Sequence, residues 1–170
     1  MAASLNADER EALIREYERG PLLLRTAWES VPAEARQWRP APDKWSSHEV
    51  VIHCADSETY AATRIRLVAA EKDPLIVAYD QDAWARVYNY HGQSADQALR
   101  TIEAVRAGTL AILRALSEAD WSREGRHTET GRYTACDWLR SYGPHLTNHA
   151  KQIERNHAAF RGSTALNQRS

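Results

Sequence analysis

The segment YGPHLTNHAKQI, residues 142–153, places two histidines four residues apart, and the interpretation of the chain starts from it. We predict that it belongs to a long C-terminal helix, in which residues i and i+4 lie on the same face. His145 and His149 can then direct their imidazoles at one point, so that two neutral ring nitrogens bind one transition metal. The same spacing also occurs in helices whose histidines only pack or face solvent. The metal interpretation therefore needs a third ligand from elsewhere in the chain.

Four amphipathic segments with loops between them account for most of the 170 residues. Each opens with a residue that can cap the first turn of a helix, and the caps are Asn6, Ser46, Ser94 and Thr134. The predicted helices cover residues 7–30, 46–72 and 94–118, and the last begins after Thr134. Because no segment alternates apolar and polar residues as a half-buried strand does, we predict an all-α fold, a four-helix bundle. Residues 1–160 form its single domain, and residues 161–170 are predicted to be a polar, disordered tail.

Three glycine positions qualify this helical prediction. Gly20-Pro21 is expected to kink or interrupt the first helix, because proline lacks an N–H and disfavours a helical residue before it. Gly108 is expected to mark a close contact between helices. Gly143-Pro144 is expected to bend the last helix one residue before His145. Residues 73–93 have no clear period, and we expect a short helix there that covers one end of the bundle as a lid or an interface.

Charge and composition exclude several classes of function. The net charge of −1 and the pI near 6.7 argue against a nucleic-acid binder that works through bulk positive charge. No apolar run approaches the roughly 20 residues that a membrane span requires. The N-terminus lacks a basic and then apolar signal pattern, so we expect a cytoplasmic protein. Cys54 and Cys136 lack CxxC spacing, and their apolar helical surroundings predict buried free thiols.

His53 lies in the second turn of the second predicted helix, at the edge of its apolar face. It can be a half-buried, hydrogen-bonded residue without a metal, or it can be the missing third ligand. Asp56 follows one turn later and either orients an imidazole or a bound water, or is an ordinary exposed helix residue. Gln152 can form a hydrogen bond near the site. His127, in a polar segment between two glycines, is the weakest candidate for a site residue.

Three stretches of the sequence together resemble the DinB-like superfamily in its YfiT-like branch. KWSSHEVVIHCADSE, residues 44–58, resembles the second-helix motif of that family. YDQDAWA, residues 79–85, resembles its middle segment, and the two histidines before Gln152-Ile153 resemble its closing motif. The resemblance covers residues from about 20 to about 155.

This resemblance implies a four-helix bundle in which three histidines meet at one end and bind a divalent metal, most often zinc or nickel. Carried over to this chain, the ligands are His53, His145 and His149. Members of the family are often homodimers. Some transfer or isomerise small-molecule substrates with a low-molecular-weight thiol such as bacillithiol or mycothiol, and others are described only as metal-dependent hydrolases.

A site with three imidazoles leaves at least one position on the metal open for chemistry. A water there can reach a pKa near 7, and a thiol there is deprotonated, so the same ligand set supports hydrolysis or thiol transfer. No glutamate is placed as a general base, because the chain has HLTNH at residues 145–149 where a metalloprotease motif has HEXXH. Two alternatives follow, a metal-stabilised binding or stress-response module without turnover, and a structural helical dimer whose histidines only pack.

Overall fold

The structure is a computed structural model, and it describes residues 5–167. Within that range the long helices are α1 (Ala7–Glu29), α2 (Ser47–Ala70), α4 (Ala95–Ala115) and α7 (His145–Asn167). The shorter helices are α3 (Gln81–Val87), α5 (Glu118–Trp121) and α6 (Ala135–Tyr142), and the strands are β1 (Leu75–Ile76), β2 (Glu124–His127) and β3 (Gly131–Thr134).

The four long helices form a bundle, which confirms the predicted all-α architecture. Helix α1 packs chiefly against α7, and α2 packs chiefly against α4. Short strands that the sequence did not predict form a small sheet beside the bundle, in which β2 pairs in parallel with β1 and antiparallel with β3. Among the described residues, no helix is both long enough and apolar enough to cross a bilayer.

The helix starts follow the predicted caps closely. The side chains of Asn6, Ser46 and Thr134 each accept a hydrogen bond from the backbone N–H three residues later, and the carboxylate at that third position accepts one from the backbone N–H of the cap. These reciprocal bonds satisfy N–H groups that the first turn of a helix leaves without partners. The start of α2, which fixes the position of His53, is therefore set by the local sequence.

Of the two outcomes expected at Gly20-Pro21, a kink or an interruption, the interruption is absent, because α1 is continuous through both residues. Pro21 has no N–H to donate to the carbonyl of Tyr17, and Nη1 of Arg106 donates to that carbonyl instead, at 2.6 Å. A Cβ at Gly20 would lie 2.6 Å from the same Nη1. The glycine and the proline together thus admit an arginine side chain from α4. The close contact expected at Gly108 is also wrong, since no atom lies within 4 Å of where its Cβ would be.

The C-terminal helix is divided at Gly143-Pro144, and it is not one bent helix as predicted. Helix α6 ends at Tyr142 and α7 begins at His145. The interruption frees the carbonyl of Tyr142, which accepts from Nη2 of Arg106 at 3.0 Å. Helix α7 then continues to Asn167, so residues 161–167 of the predicted disordered tail are helical. Residues 168–170 of that tail lie outside the described range.

Both cysteines are buried free thiols, as predicted. Cys54 packs in a core cluster with Leu24, Val50 and Ile153, and Cys136 packs in a second cluster with Ile65 and others. The first cluster also contains Leu146 and Ala150, so it joins α2 to α7, the two helices that carry the histidines.

Candidate metal centre

Three histidines from distant parts of the chain meet where α2 faces the start of α7. The rings of His145 and His149 have centroids 4.6 Å apart, and the ring of His53 lies 5.8 Å from the first and 5.0 Å from the second. One ring nitrogen from each residue can be chosen so that all three lie within 4.8 Å of one another. The fold thus brings together the three residues that the family resemblance implied.

Hydrogen bonds to the far side of two rings determine which nitrogen is free. Nδ1 of His145 donates to Oε1 of Glu58 at 2.8 Å, and Nδ1 of His149 donates to Oε1 of Gln152 at 2.8 Å. A neutral imidazole that carries its proton on Nδ1 has its lone pair on Nε2. These hydrogen bonds therefore select the tautomer whose unprotonated Nε2 a divalent metal can bind.

His53 completes the triangle from the interior of the bundle. Its side chain is only 3% exposed and packs against the indole of Trp45, with ring centroids 4.7 Å apart. Its buried Nδ1 has no hydrogen-bond partner among the described residues. Burial lowers the pKa of His53 to about 2, and neighbouring His149 and His145 contribute in the same direction. Burial likewise lowers the pKa of His149 to about 4, so both rings are neutral at pH 7.

An ion pair inside the bundle fixes the acceptor for His145. Glu58 is completely buried and accepts from Nε and Nη2 of Arg106 at 2.9 and 2.6 Å. Burial alone would raise the pKa of Glu58, but Arg106 and His145 hold that pKa below its usual value. The carboxylate is therefore ionised, and it orients the imidazole of His145 as carboxylates do behind metal-bound histidines.

Of the two predicted supporting residues, the structure places one beside the histidines. Gln152 contacts His149 as described above, in agreement with the prediction. Two roles were left open for Asp56, and the structure shows its carboxylate accepting a hydrogen bond from the hydroxyl of Tyr90 at 2.7 Å. The carboxylate that orients an imidazole is that of Glu58, two residues further along α2.

A cavity of about 420 Å³ opens beside the three histidines. Its wall includes Arg64, His127 and several hydroxyl groups, among them those of Tyr79, Tyr133 and Tyr142. Burial raises the pKa of each of these three tyrosines, so their hydroxyls stay protonated at neutral pH. Tyr79 and Gln81 belong to the segment 73–93, which we had expected to cover one end of the bundle, and they line this cavity. The site therefore has room for a small molecule next to the histidines.

Sequence comparison places the chain in a known family. The model of the DinB superfamily matches residues 16–153, and the chain belongs to that superfamily. It is 30% identical over 140 residues to a protein of Oceanobacillus iheyensis named “Putative metal-dependent hydrolase OB0782”, covering 82% of this chain and 81% of that one. It is 27% identical over 128 residues to “Putative metal-dependent hydrolase YfiT” of Bacillus subtilis, covering 75% and 71%.

Solved structures agree with the fold. YfiT from Bacillus subtilis superposes with a TM-score of 0.85 at 24% identity, over 92% of this chain and 90% of that one, and is described as having “an unusual four-helix bundle topology”. The mycothiol-dependent maleylpyruvate isomerase superposes with a TM-score of 0.68 at 15% identity, over 90% of this chain and 63% of that one. At these identities the superpositions establish the shared fold.

Sequence reasoning missed Glu58, Arg106 and Arg64, although the first two left a signal. Glu58 interrupts the apolar stripe of α2 between Cys54 and Ala61. Arg106 interrupts the stripe of α4 in the same way, four residues after Ile102. A charged residue on an apolar face is seldom buried unless it is paired, so two opposite charges in facing stripes could have predicted a buried ion pair.

Proposed function

We propose that this protein is a metal-dependent enzyme that acts on a small molecule in the cavity beside His53, His145 and His149. The observation that carries the proposal is the convergence of three imidazoles, two of which have their Nδ1 atoms engaged by supporting side chains. Zinc and nickel suit such a set of nitrogen donors. Held there, the ion supplies a Lewis acid with an open position, at which water or a thiol becomes a nucleophile near neutral pH.

The residues of the chain prepare the site for that chemistry. Glu58 and Gln152 hold two rings in position, and the buried ion pair with Arg106 keeps the carboxylate ionised. The protonated hydroxyls of Tyr79 and Tyr142 can donate hydrogen bonds to a substrate in the cavity. His127 accepts hydrogen bonds at Nδ1 from the N–H groups of residues 129 and 130, at 3.2 and 3.3 Å, so it presents a protonated Nε2.

Hydrolysis is the reaction that the named relatives favour, since two relatives in different organisms carry the name of a metal-dependent hydrolase. Thiol-dependent transfer is the second candidate, and one observation favours it. Among the described residues that line the cavity, none is Asp or Glu. Hydrolysis commonly uses a carboxylate as general base, whereas a thiol at the metal is deprotonated without one.

Metal analysis of the purified protein tests the central claim. We expect one divalent ion per chain in the wild type, and we expect His53→Ala and His149→Ala each to lose it. His157→Ala is the matched control, because His157 lies on the same helix two turns beyond His149, outside the cluster. Stoichiometric metal that survives the loss of both His53 and His149 would contradict the proposal.

A second assay separates the candidate reactions. The metal-loaded protein is offered ester and amide substrates, and separately a low-molecular-weight thiol with an electrophilic acceptor. Consumption of thiol without hydrolysis identifies a transferase, and release of acid without thiol identifies a hydrolase. If the protein binds metal and small molecules tightly but turns over neither set, the non-catalytic binding or stress-response module is the correct alternative.

The homodimer implied by the family resemblance stays a prediction, which sedimentation of the metal-loaded protein tests.

A further inference from the structure

Arg64 is a buried arginine in the wall of the cavity beside the three histidines, and the proposed reaction gives it no role. Its side chain is 8% exposed, and it projects from α2 about three turns after His53. Nη2 donates to the carbonyl of Val77 at 2.5 Å, and Nη1 donates weakly to the hydroxyl of Tyr142 at 3.4 Å. Its Nε–H is buried and has no hydrogen-bond partner among the described residues. The guanidinium therefore retains an unused donor.

Among the described residues, no carboxylate matches the charge of this guanidinium. The two nearest acidic residues that precede it on α2 are engaged elsewhere, Asp56 with Tyr90 and Glu58 with Arg106 and His145. Among the described residues, Arg64 takes part in no ion pair, and the charge instead lies over the ring of Tyr60 at 4.5 Å. Burying a charge without a counter-ion is costly, so such a group is retained where a ligand supplies the opposite charge.

The rest of the cavity wall suits a compact anion at this point. Beside Arg64, the wall offers neutral hydrogen-bond donors, among them the hydroxyls of Ser57, Tyr79 and Tyr142. Arg64 is the only Arg or Lys among the described residues that line the cavity. One guanidinium with neutral donors around it matches a singly charged carboxylate, and a planar fork binds a carboxylate through two parallel hydrogen bonds.

We infer that the substrate of this site carries a carboxylate, and that Arg64 binds this carboxylate while the reacting part of the molecule lies toward the three histidines. The inference rests on the proposed function for the position of the reacting group, but the anion site stands on Arg64 alone. Arg64 is accordingly a specificity-determining residue that selects acidic small molecules over neutral ones of the same shape.

Binding of simple carboxylates tests this inference directly. Propionate and succinate are titrated into the protein and compared with propionamide, succinamide and inorganic phosphate, using NMR shifts to measure affinity. The Nε–H signal of Arg64 in the wild type should move with the carboxylates and stay fixed with the amides. Arg64→Gln should weaken carboxylate binding at least tenfold, and Arg64→Lys should weaken it less. Arg66→Gln removes the same charge from an exposed position on the same helix and should have no effect.

Metal-free and zinc-loaded protein are titrated in parallel, so that the two proposals can fail separately. Arg64-dependent binding to the metal-free protein supports the anion site even if the protein proves not to bind zinc. Carboxylate binding that survives Arg64→Gln and disappears on removing zinc shows that the ion holds the carboxylate, which overturns the inference and leaves the proposed function intact. Equal binding of the amides, an unmoved Nε–H signal, or a clear preference for phosphate also overturns it.

Discussion

Arg64 and Arg106 are both buried in this bundle, and their surroundings differ in one decisive respect. Arg106 donates to both oxygens of Glu58 and to two backbone carbonyls, and its guanidinium lies 3.8 Å from the ring centroid of Tyr17. Arg64 has one strong backbone acceptor, and its Nε–H has no partner among the described residues. The guanidinium of Arg106 is held by a carboxylate and two carbonyls of the protein, whereas that of Arg64 keeps a buried donor unused. The difference separates a group that holds the fold together from one that is available to a ligand.

The largest expected effect is on stability, where removal of Arg106 should lower the free energy of unfolding much more than removal of Arg64. Arg106→Met leaves Glu58 buried without its partner, and we expect the free energy of unfolding to fall by about 3–5 kcal/mol. Arg64→Met removes a buried charge that has no carboxylate partner, and we expect a loss of about 1 kcal/mol or less. Urea denaturation of both variants measures the difference. Arg114→Met, which breaks an exposed pair with Glu18, is the surface control and should cost about 0–1 kcal/mol. Equal losses for Arg64 and Arg106 would remove the distinction.

The side chains that accept hydrogen bonds from the histidines should raise the affinity of the site for a metal. Gln152→Ala takes away the acceptor of His149 Nδ1, and we expect the affinity for zinc to fall about 10–100-fold while stability changes little. Asp56→Asn should leave the affinity unchanged, because Asp56 faces Tyr90. Competition with a chromogenic chelator measures both, and Lys151→Ala is the exposed neighbour control. A larger effect from Asp56 than from Gln152 would show that the supporting residues are assigned incorrectly.

Two glycine-to-alanine substitutions, one that would meet Arg106 and one that would not, test how rigidly its guanidinium is held. Gly20→Ala forces a methyl group against Arg106, whose guanidinium is fixed by its hydrogen bonds, and we expect a loss of about 1–3 kcal/mol. Gly108→Ala places the same methyl in open space on α4 and should stabilise by about 0.5–1 kcal/mol. Thermal and urea unfolding of the pair test the sign of each change. A stabilising Gly20→Ala would mean that Arg106 can move aside.

The sequence was most informative where the cause of structure is local. Ser46 and Thr134 start their helices as predicted, since a cap depends on residues three positions apart. At Gly20-Pro21 the local pattern predicted an interruption that the structure does not have, because the decisive contact there is not local. The propensity of that dipeptide to break a helix was overridden by Arg106, which reaches it from a helix more than 80 residues away and satisfies the carbonyl that proline leaves free.

In the candidate site, too, the part with a local cause could be predicted from the sequence, and the part that depends on packing could not. Two histidines four residues apart define half of it within a single turn of helix, and family resemblance implied His53 as the third ligand. Asp56 and Glu58 were indistinguishable from spacing, because either could lie near an imidazole, and only the packing of α2 against α4 decided that Glu58 reaches His145. The small sheet escaped notice because its strands are two to four residues long, too short to show a period.

The sequence by itself determined the helical class, the starts of α1, α2, α4 and α6, the buried cysteines and the pair of histidines on α7, because each follows from periodicity, capping or short spacing. Tertiary structure alone decided that Arg106 neutralises Glu58 and that Arg64 meets no carboxylate among the described residues. Both guanidinium groups have the same intrinsic chemistry, and what each one meets depends on which helix faces it. A charge acquires its role from the partners that folding brings within about 3 Å, and no local pattern in the chain encodes those partners.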